Sequence, residues 1–411
     1  MLELIYILIL GILISVFLLE RWLEYLNLRH SVTELPAELA DVFDAEEYKK
    51  SRQYKRVNTI FSFYSESFSL LIMVLAIVFG IFGWLDGWLA SKTASYYILV
   101  LLFFGILSFL SDFLSIPFQL WDTFKIEEKF GFNKTTPKIF IFDKLKGWLL
   151  MIILGGGILL LLTWLYSMTG KYFWLLAWGA ITLFSVIMNM FYSNLIVPLF
   201  NKQTPLEAGA LRTAIEDFAA KVGYNVKNIY VIDGSKRSTK ANAYFTGLGP
   251  KKRIVLYDTL INDLEQDEIV AVLAHEIGHY KKKHSLEGLI AGIIQTGIML
   301  YLFSIFVKLP ELSQALGGET ASFHMGLIAF AILYTPVSLI LGIFSNLISR
   351  KNEYQADAYA SEHHSREALI SGLKKLSRKS LSNLTPHPLY VFFHYSHPTL
   401  LQRIRAMEGN E

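Results

Sequence analysis

Apolar residues along this 411-residue chain gather into long unbroken runs, separated by stretches in which charge is concentrated. Seven runs are long enough to cross a hydrocarbon core of about 30 Å as helices: Leu4–Leu23, Ser67–Leu89, Tyr97–Leu120, Trp148–Tyr166, Tyr172–Pro198, Leu286–Val307 and Phe323–Ile348. Between the fifth and sixth lies a polar stretch, Leu199–His284, with a different rhythm. It predicts a helix over Leu206–Val222 and three short strands, Asn228–Ile232, Ala241–Thr246 and Arg253–Tyr257. Gly247, Gly249 and Pro250 separate the last two strands as a hairpin turn would. A further helix opens in the acid-rich segment Asp263–Glu268, which suits the positive end of its dipole.

The predicted architecture is mainly α: a polytopic membrane protein with a small antiparallel β-sheet in its soluble part. Four regions follow, 1–198 with five spans, 199–284 as the largest polar piece, 285–349 with two spans, and 350–411 as a polar tail. Composition agrees, with 53% hydrophobic and only 18% charged residues, more apolar than a soluble domain. The N-terminal run lacks a basic leader and a small-x-small cleavage site, so it reads as a retained span rather than a signal peptide. Lys and Arg cluster on alternate loops, leaving only Lys92, Lys171 and Lys308 on the other side. By the positive-inside rule the N-terminus is extracytoplasmic, and the polar regions and C-terminus are cytoplasmic. A net charge of +3 gives no reason to expect a nucleic-acid partner. With no cysteine in the chain, thiolate metal ligands and disulfides are excluded.

The chemistry is concentrated in His275-Glu276-Ile277-Gly278-His279. Two imidazoles four residues apart share one helix face, so both can hold one Zn2+ ion, with Glu276 beside it as general base. A zinc with three protein ligands and an open position is a Lewis acid that makes water nucleophilic near neutral pH. A metzincin would carry Gly at 282 and His at 285; these positions are Lys282 and Ser285. The third ligand is expected instead in Asn352-Glu353-Tyr354-Gln355-Ala356-Asp357. Glu353 completes a His-His-Glu set, and Asp357, one turn on, orients a ligand imidazole. His279 precedes the sixth span by seven residues and Glu353 follows the seventh by five. At 1.5 Å per residue, both lie within about 11 Å of the same cytoplasmic membrane edge.

Five stretches, Ser235–Leu248, Lys251–Ile261, His275–His279, Asn352–Asp357 and His394–Ile404, occur in the order found in the Ste24-type CAAX prenyl proteases, a branch of the M48 metallopeptidases that this chain resembles. The resemblance implies a gluzincin-like zinc peptidase region and seven helices around a water-filled chamber. It implies one zinc on His275, His279 and Glu353, with Glu276 as base. It gives His397 as donor to the oxyanion, with Arg403 supporting the polar network. It also marks Asn242, and with it Ala243 and Tyr244 on the predicted edge strand, as contacts to substrate backbone. The implied substrate is a peptide or protein, prenylated or not, cut near its C-terminus at a cytoplasm-facing bacterial inner membrane or endoplasmic reticulum membrane. Lys240 departs from the His that eukaryotic relatives tend to carry there. The remaining histidines, His284 among them, read as surface or interfacial groups. A broad quality-control protease and a non-enzymatic transporter or scaffold with structural zinc are the competing readings.

Overall fold

The computed structural model describes residues 1–30, 35–224, 228–246 and 253–409. Helix α1 (Leu2–Arg29) is followed by α2 (Ala45–Val78), whose first turn is capped by Asp44 accepting the Glu47 N–H at 2.8 Å. At 34 residues, α2 is about 51 Å long, so its charged first half must extend beyond the bilayer core. The predicted unbroken second span is interrupted. The chain leaves α2 at Val78, passes Gly80 at φ 63°, and restarts as α3 (Ile81–Ala90). The cause is close packing: a Cβ on Gly83 would lie 1.9 Å from the Gly317 carbonyl oxygen. The loop before the last span is wedged there, and the Gly83 N–H donates to Leu316 O.

Then come α4 (Tyr96–Trp121), α5 (Pro137–Leu150), α6 (Gly156–Thr169) and α7 (Phe173–Leu195). A π-helical stretch at Asp122–Glu127 follows α4, and another at Met151–Gly155 joins α5 to α6. Among the described residues six helical runs are long and apolar enough to span a membrane. The fourth, Pro137–Phe200, has 64 residues, about three bilayer thicknesses if straight. It turns at Gly170 (φ 53°, ψ −116°) and α6 packs along α7, so it supplies two passes. Large apolar side chains such as Leu4, Trp84, Phe113, Leu183 and Phe344 are exposed, which suits contact with lipid.

The largest polar region carries β1 (Gln203–Pro205), α8 (Ala210–Lys221), β2 (Ile229–Ile232), β3 (Ala243–Thr246), β4 (Arg253–Tyr257) and α9 (Gln266–Lys281). The expected all-antiparallel sheet is a mixed one. Its order is β1-β2-β4-β3, with β2 and β4 parallel and the outer pairs antiparallel. A parallel pair needs a long crossover, and the segment between β2 and β4, which includes β3, is long enough to supply it. The proposed turn at Gly247–Pro250 lies outside the described residues. β3 is an edge strand, as expected. β1 was not foreseen; a Pro-ended three-residue strand has almost no sequence signal and is tolerated only at an edge.

Two further spans, α10 (His284–Phe306) and α11 (Phe323–His363), are followed by α12 (Arg366–Lys379), α13 (Pro388–His394) and α14 (Leu400–Glu408). Helix α11 runs through Pro336 and continues 15 residues past the predicted span end at Ile348. The extension carries Glu353 and Asp357 straight from the membrane onto α9. Several polar residues within and at the ends of the spans have partners. Asp112 accepts from Lys144 and Trp148, Glu66 from Arg21, Gln295 donates to Ser345, and Asp86 pairs with buried His324. Interhelical hydrogen bonding accounts for them.

Candidate metal centre

Helix α9 lies with one face in the apolar core formed by Ile215, Phe218, Leu256, Leu260, Leu273 and Ile277. Its first turn is fixed by Glu268, which accepts from the Glu265 N–H at 2.8 Å and from Ser371 and Lys375 of α12 at 2.7 and 2.9 Å. The opposite face meets α11 at close range, and Gly278 is the reason this is possible. A Cβ there would stand 3.1 Å from both Ala356 Cα and Tyr359 Cβ, backbone and near-backbone atoms that cannot swing aside.

That approach brings three donor atoms together. His275 Nε2 is 3.2 Å from His279 Nε2, and Glu353 oxygens lie 3.4 and 3.2 Å from the two ring nitrogens. Oε2 is the oxygen beside His275 and Oε1 the one beside His279, so the three side chains surround one small space. Glu353 is buried, and its Oε2 has no hydrogen-bond partner. A buried carboxylate oxygen left without a hydrogen-bond partner beside the His275 ring costs free energy unless a cation or a proton sits among them. The donor set fits a divalent metal.

The two imidazoles are held from behind. His275 Nδ1 is 2.8 Å from Asp357 Oδ1, and Arg403 Nε donates to Asp357 Oδ2 at 2.8 Å, with Nη2 on the other oxygen. The Arg403 guanidinium is buried and also lies 3.3 Å from His275 Nδ1. It thus stands behind the ligands as well as at the cleft wall. Burial works against a charged His275, but its neighbours Asp357 and Glu353 prevail and raise its pKa to about 9. His284, expected to be a surface or interfacial group, is buried with its Nδ1 2.9 Å from His279 Nδ1. Nothing in its position just before the sixth span distinguishes it in the sequence; the turn at Lys283 brings it against His279.

The centre opens into a cleft of about 320 Å³ lined by Asn242, Ala243, Glu276, His397, Leu369 and Leu373 among others. The Glu276 pKa is raised by burial, partly offset by His275 and His279. His397 is exposed on its outer side, with Nε2 3.2 Å from Glu353 Oε1, and burial of its ring lowers its pKa. Ala243 lines the cleft beside the open edge of β3. The side chain of Tyr244 points the other way, its hydroxyl 3.3 Å from Gln203 Nε2 and 3.4 Å from Ser193 Oγ, and the alternation set by the Tyr257 N–H bond to Asn242 O turns its backbone toward β4, so the expected substrate contact at Tyr244 is not supported. Lys240 is pinned by Glu127 and Tyr54 at 2.9 and 3.0 Å, joining the start of this edge to the π-helical stretch after α4.

Residues 24–202 match the family model for the CAAX prenyl protease N-terminal region with five membrane helices, and residues 205–411 match peptidase family M48. A CAAX prenyl protease 1 homolog of Arabidopsis thaliana is 36% identical over 98% of this chain and 97% of its own length. CAAX prenyl protease 1 of Saccharomyces cerevisiae is also 36% identical, over 97% of this chain and 94% of its own. The chain belongs to peptidase family M48. The crystal structure of S. mikatae Ste24p superposes with a TM-score of 0.92 at 36% identity, covering 98% of both chains. This M48 protein is therefore a multi-pass membrane metallopeptidase of the Ste24 type, and the family implies a metal.

Proposed function

We propose that this M48 protein is a zinc endopeptidase that cuts peptide bonds near the C-terminus of CAAX-type, prenylated proteins or peptides. The observation that carries the reading is the convergence of His275, His279, Glu353 and Glu276 on one cleft bordered by an open strand edge. One Zn2+ per chain, held by His275, His279 and Glu353, supplies Lewis acidity and lowers the pKa of water. Glu276 takes the proton from the attacking water and returns it to the leaving amine, a role that its position at the cleft wall permits. His397 donates to the oxygen that becomes negative on the scissile carbonyl. Asp357 fixes the His275 ring, and Arg403 fixes Asp357. Asn242, just before β3, and Ala243, whose backbone lies on the open edge, contact an extended substrate.

Backbone pairing is nearly blind to side chains, so selectivity comes from reach. A flexible C-terminal segment enters the cleft, while its lipid occupies a chamber among the spans at a cytoplasm-facing membrane. The relatives' names support this substrate class, and matches over nearly their full length favour it over quality-control proteolysis. The test is cleavage of a farnesylated CAAX peptide, its unprenylated form and an internal-loop peptide by the purified protein in lipid nanodiscs. Mass spectrometry should show C-terminal cuts, with the prenylated peptide turned over fastest. Equal cutting of the internal-loop peptide would point to broad quality-control activity instead.

A further inference from the structure

The two imidazoles of the metal centre are supported by unlike chemistry. His275 leans on a carboxylate, whereas His279 leans on another histidine. His279 Nε2 faces His275 and Glu353, so its ring proton belongs on Nδ1. That Nδ1 is 2.9 Å from His284 Nδ1, which must then accept. The His284 proton is left on Nε2, which lies 3.0 Å from the Oε1 of Gln355, an oxygen that can only accept. Every atom in the chain of bonds has one allowed role, and the amide carbonyl fixes the direction. The two rings meet edge to face, 5.0 Å between centroids at 75°.

The backbone is shaped to make this contact. Lys283 adopts φ 63°, ψ 23°, a left-handed conformation that non-glycine residues seldom take. It turns the chain sharply out of α9, so that His284 becomes the first residue of the span α10. Gln355 lies on α11, two residues beyond Glu353. Both partners that aim His279 therefore belong to helices that continue into the membrane.

We propose that His284 is a positioning residue for the metal. Relaying through Gln355, it holds His279 in the tautomer and orientation that present Nε2 to the ion. The proposal rests on His279 being a zinc ligand. Partners of this kind typically affect metal affinity by about 10–100-fold.

Asn is the informative replacement, because its Oδ1 sits on Cγ where the imidazole Nδ1 sits, yet it cannot reach Gln355. Zinc affinity is measured by chelator competition on the full-length protein in nanodiscs. His284→Ala should weaken it about 10–100-fold, and His284→Asn should restore most of the loss. Gln355→Leu should weaken binding in the wild-type background and add nothing to His284→Asn. Wild-type affinity in His284→Ala, or a His284→Asn variant as weak as the alanine, would overturn the proposal. So would equal effects of Gln355→Leu in both backgrounds. If His284→Ala does not fold, the Asn and Leu variants decide alone. His279→Ala runs alongside: if it retains zinc, the ligand assignment has failed, whereas loss there with no effect at His284 defeats only the positioning role.

Discussion

Gly278 shows how one absent side chain sets the geometry of the metal centre. Its hydrogen is what allows α9 to lie against Ala356 and Tyr359, and so brings His275 and His279 to Glu353. A methyl group there must push apart two helices that meet backbone to backbone. We expect Gly278→Ala to lower stability by about 1–3 kcal/mol, the range for overpacking a tight contact. It should also reduce zinc content, because the separation of the donor atoms depends on the same approach. Calorimetric unfolding with metal analysis checks both; an unchanged melting temperature with full zinc would show that the contact has slack. At this scale the sequence was informative where spacing has a fixed meaning on a helix. The i, i+4 imidazoles and the carboxylate pair at Glu353 and Asp357 could be placed before any coordinates. His284 could not, because its role depends on a left-handed turn at Lys283, a residue with no preference for one.

Among the elements, helices were legible in proportion to their apolar length, and the sheet much less so. Three of the four strands among the described residues were foreseen, but pairing is set by contacts distant in sequence, so the parallel β2–β4 neighbourhood left no local trace. The break after Val78 was hidden for the same reason: its cause is Gly317, more than 200 residues away. The segment leading into edge strand β3 is likewise held by a remote partner. Arg237 makes a two-pronged pair with Asp143 of α5, at 2.8 and 2.9 Å, and donates to Phe200 O. Lys134 N–H and Thr239 N–H add backbone bonds across the same seam. Charge-assisted bonds of this kind contribute about 1.5–3 kcal/mol when partly shielded. Arg237→Ala should therefore lower the unfolding temperature while leaving zinc bound, since Arg237 touches no ligand. A variant as stable as wild type would mean that the seam is held elsewhere.

For the molecule as a whole, the metal centre and the membrane are one construction. α11 is both the last span and the carrier of Glu353, Gln355 and Asp357, while α10 starts on His284. The alternation of Lys and Arg along the loops supports placing this centre on the cytoplasmic side, with Lys171 opposite. Because the chain has no cysteine, a single Lys171→Cys can be labelled without background. It should react with an impermeant maleimide only from the extracytoplasmic face, and labelling from the cytoplasm would reverse the orientation. We propose that Glu276 works on water at a metal held by His275, His279 and Glu353. The most direct test is zinc content and peptide turnover measured together on Glu276→Gln, whose amide keeps the shape but cannot accept the proton. The predicted result is one zinc per chain with turnover reduced at least about 100-fold; normal turnover by that variant would contradict the mechanism.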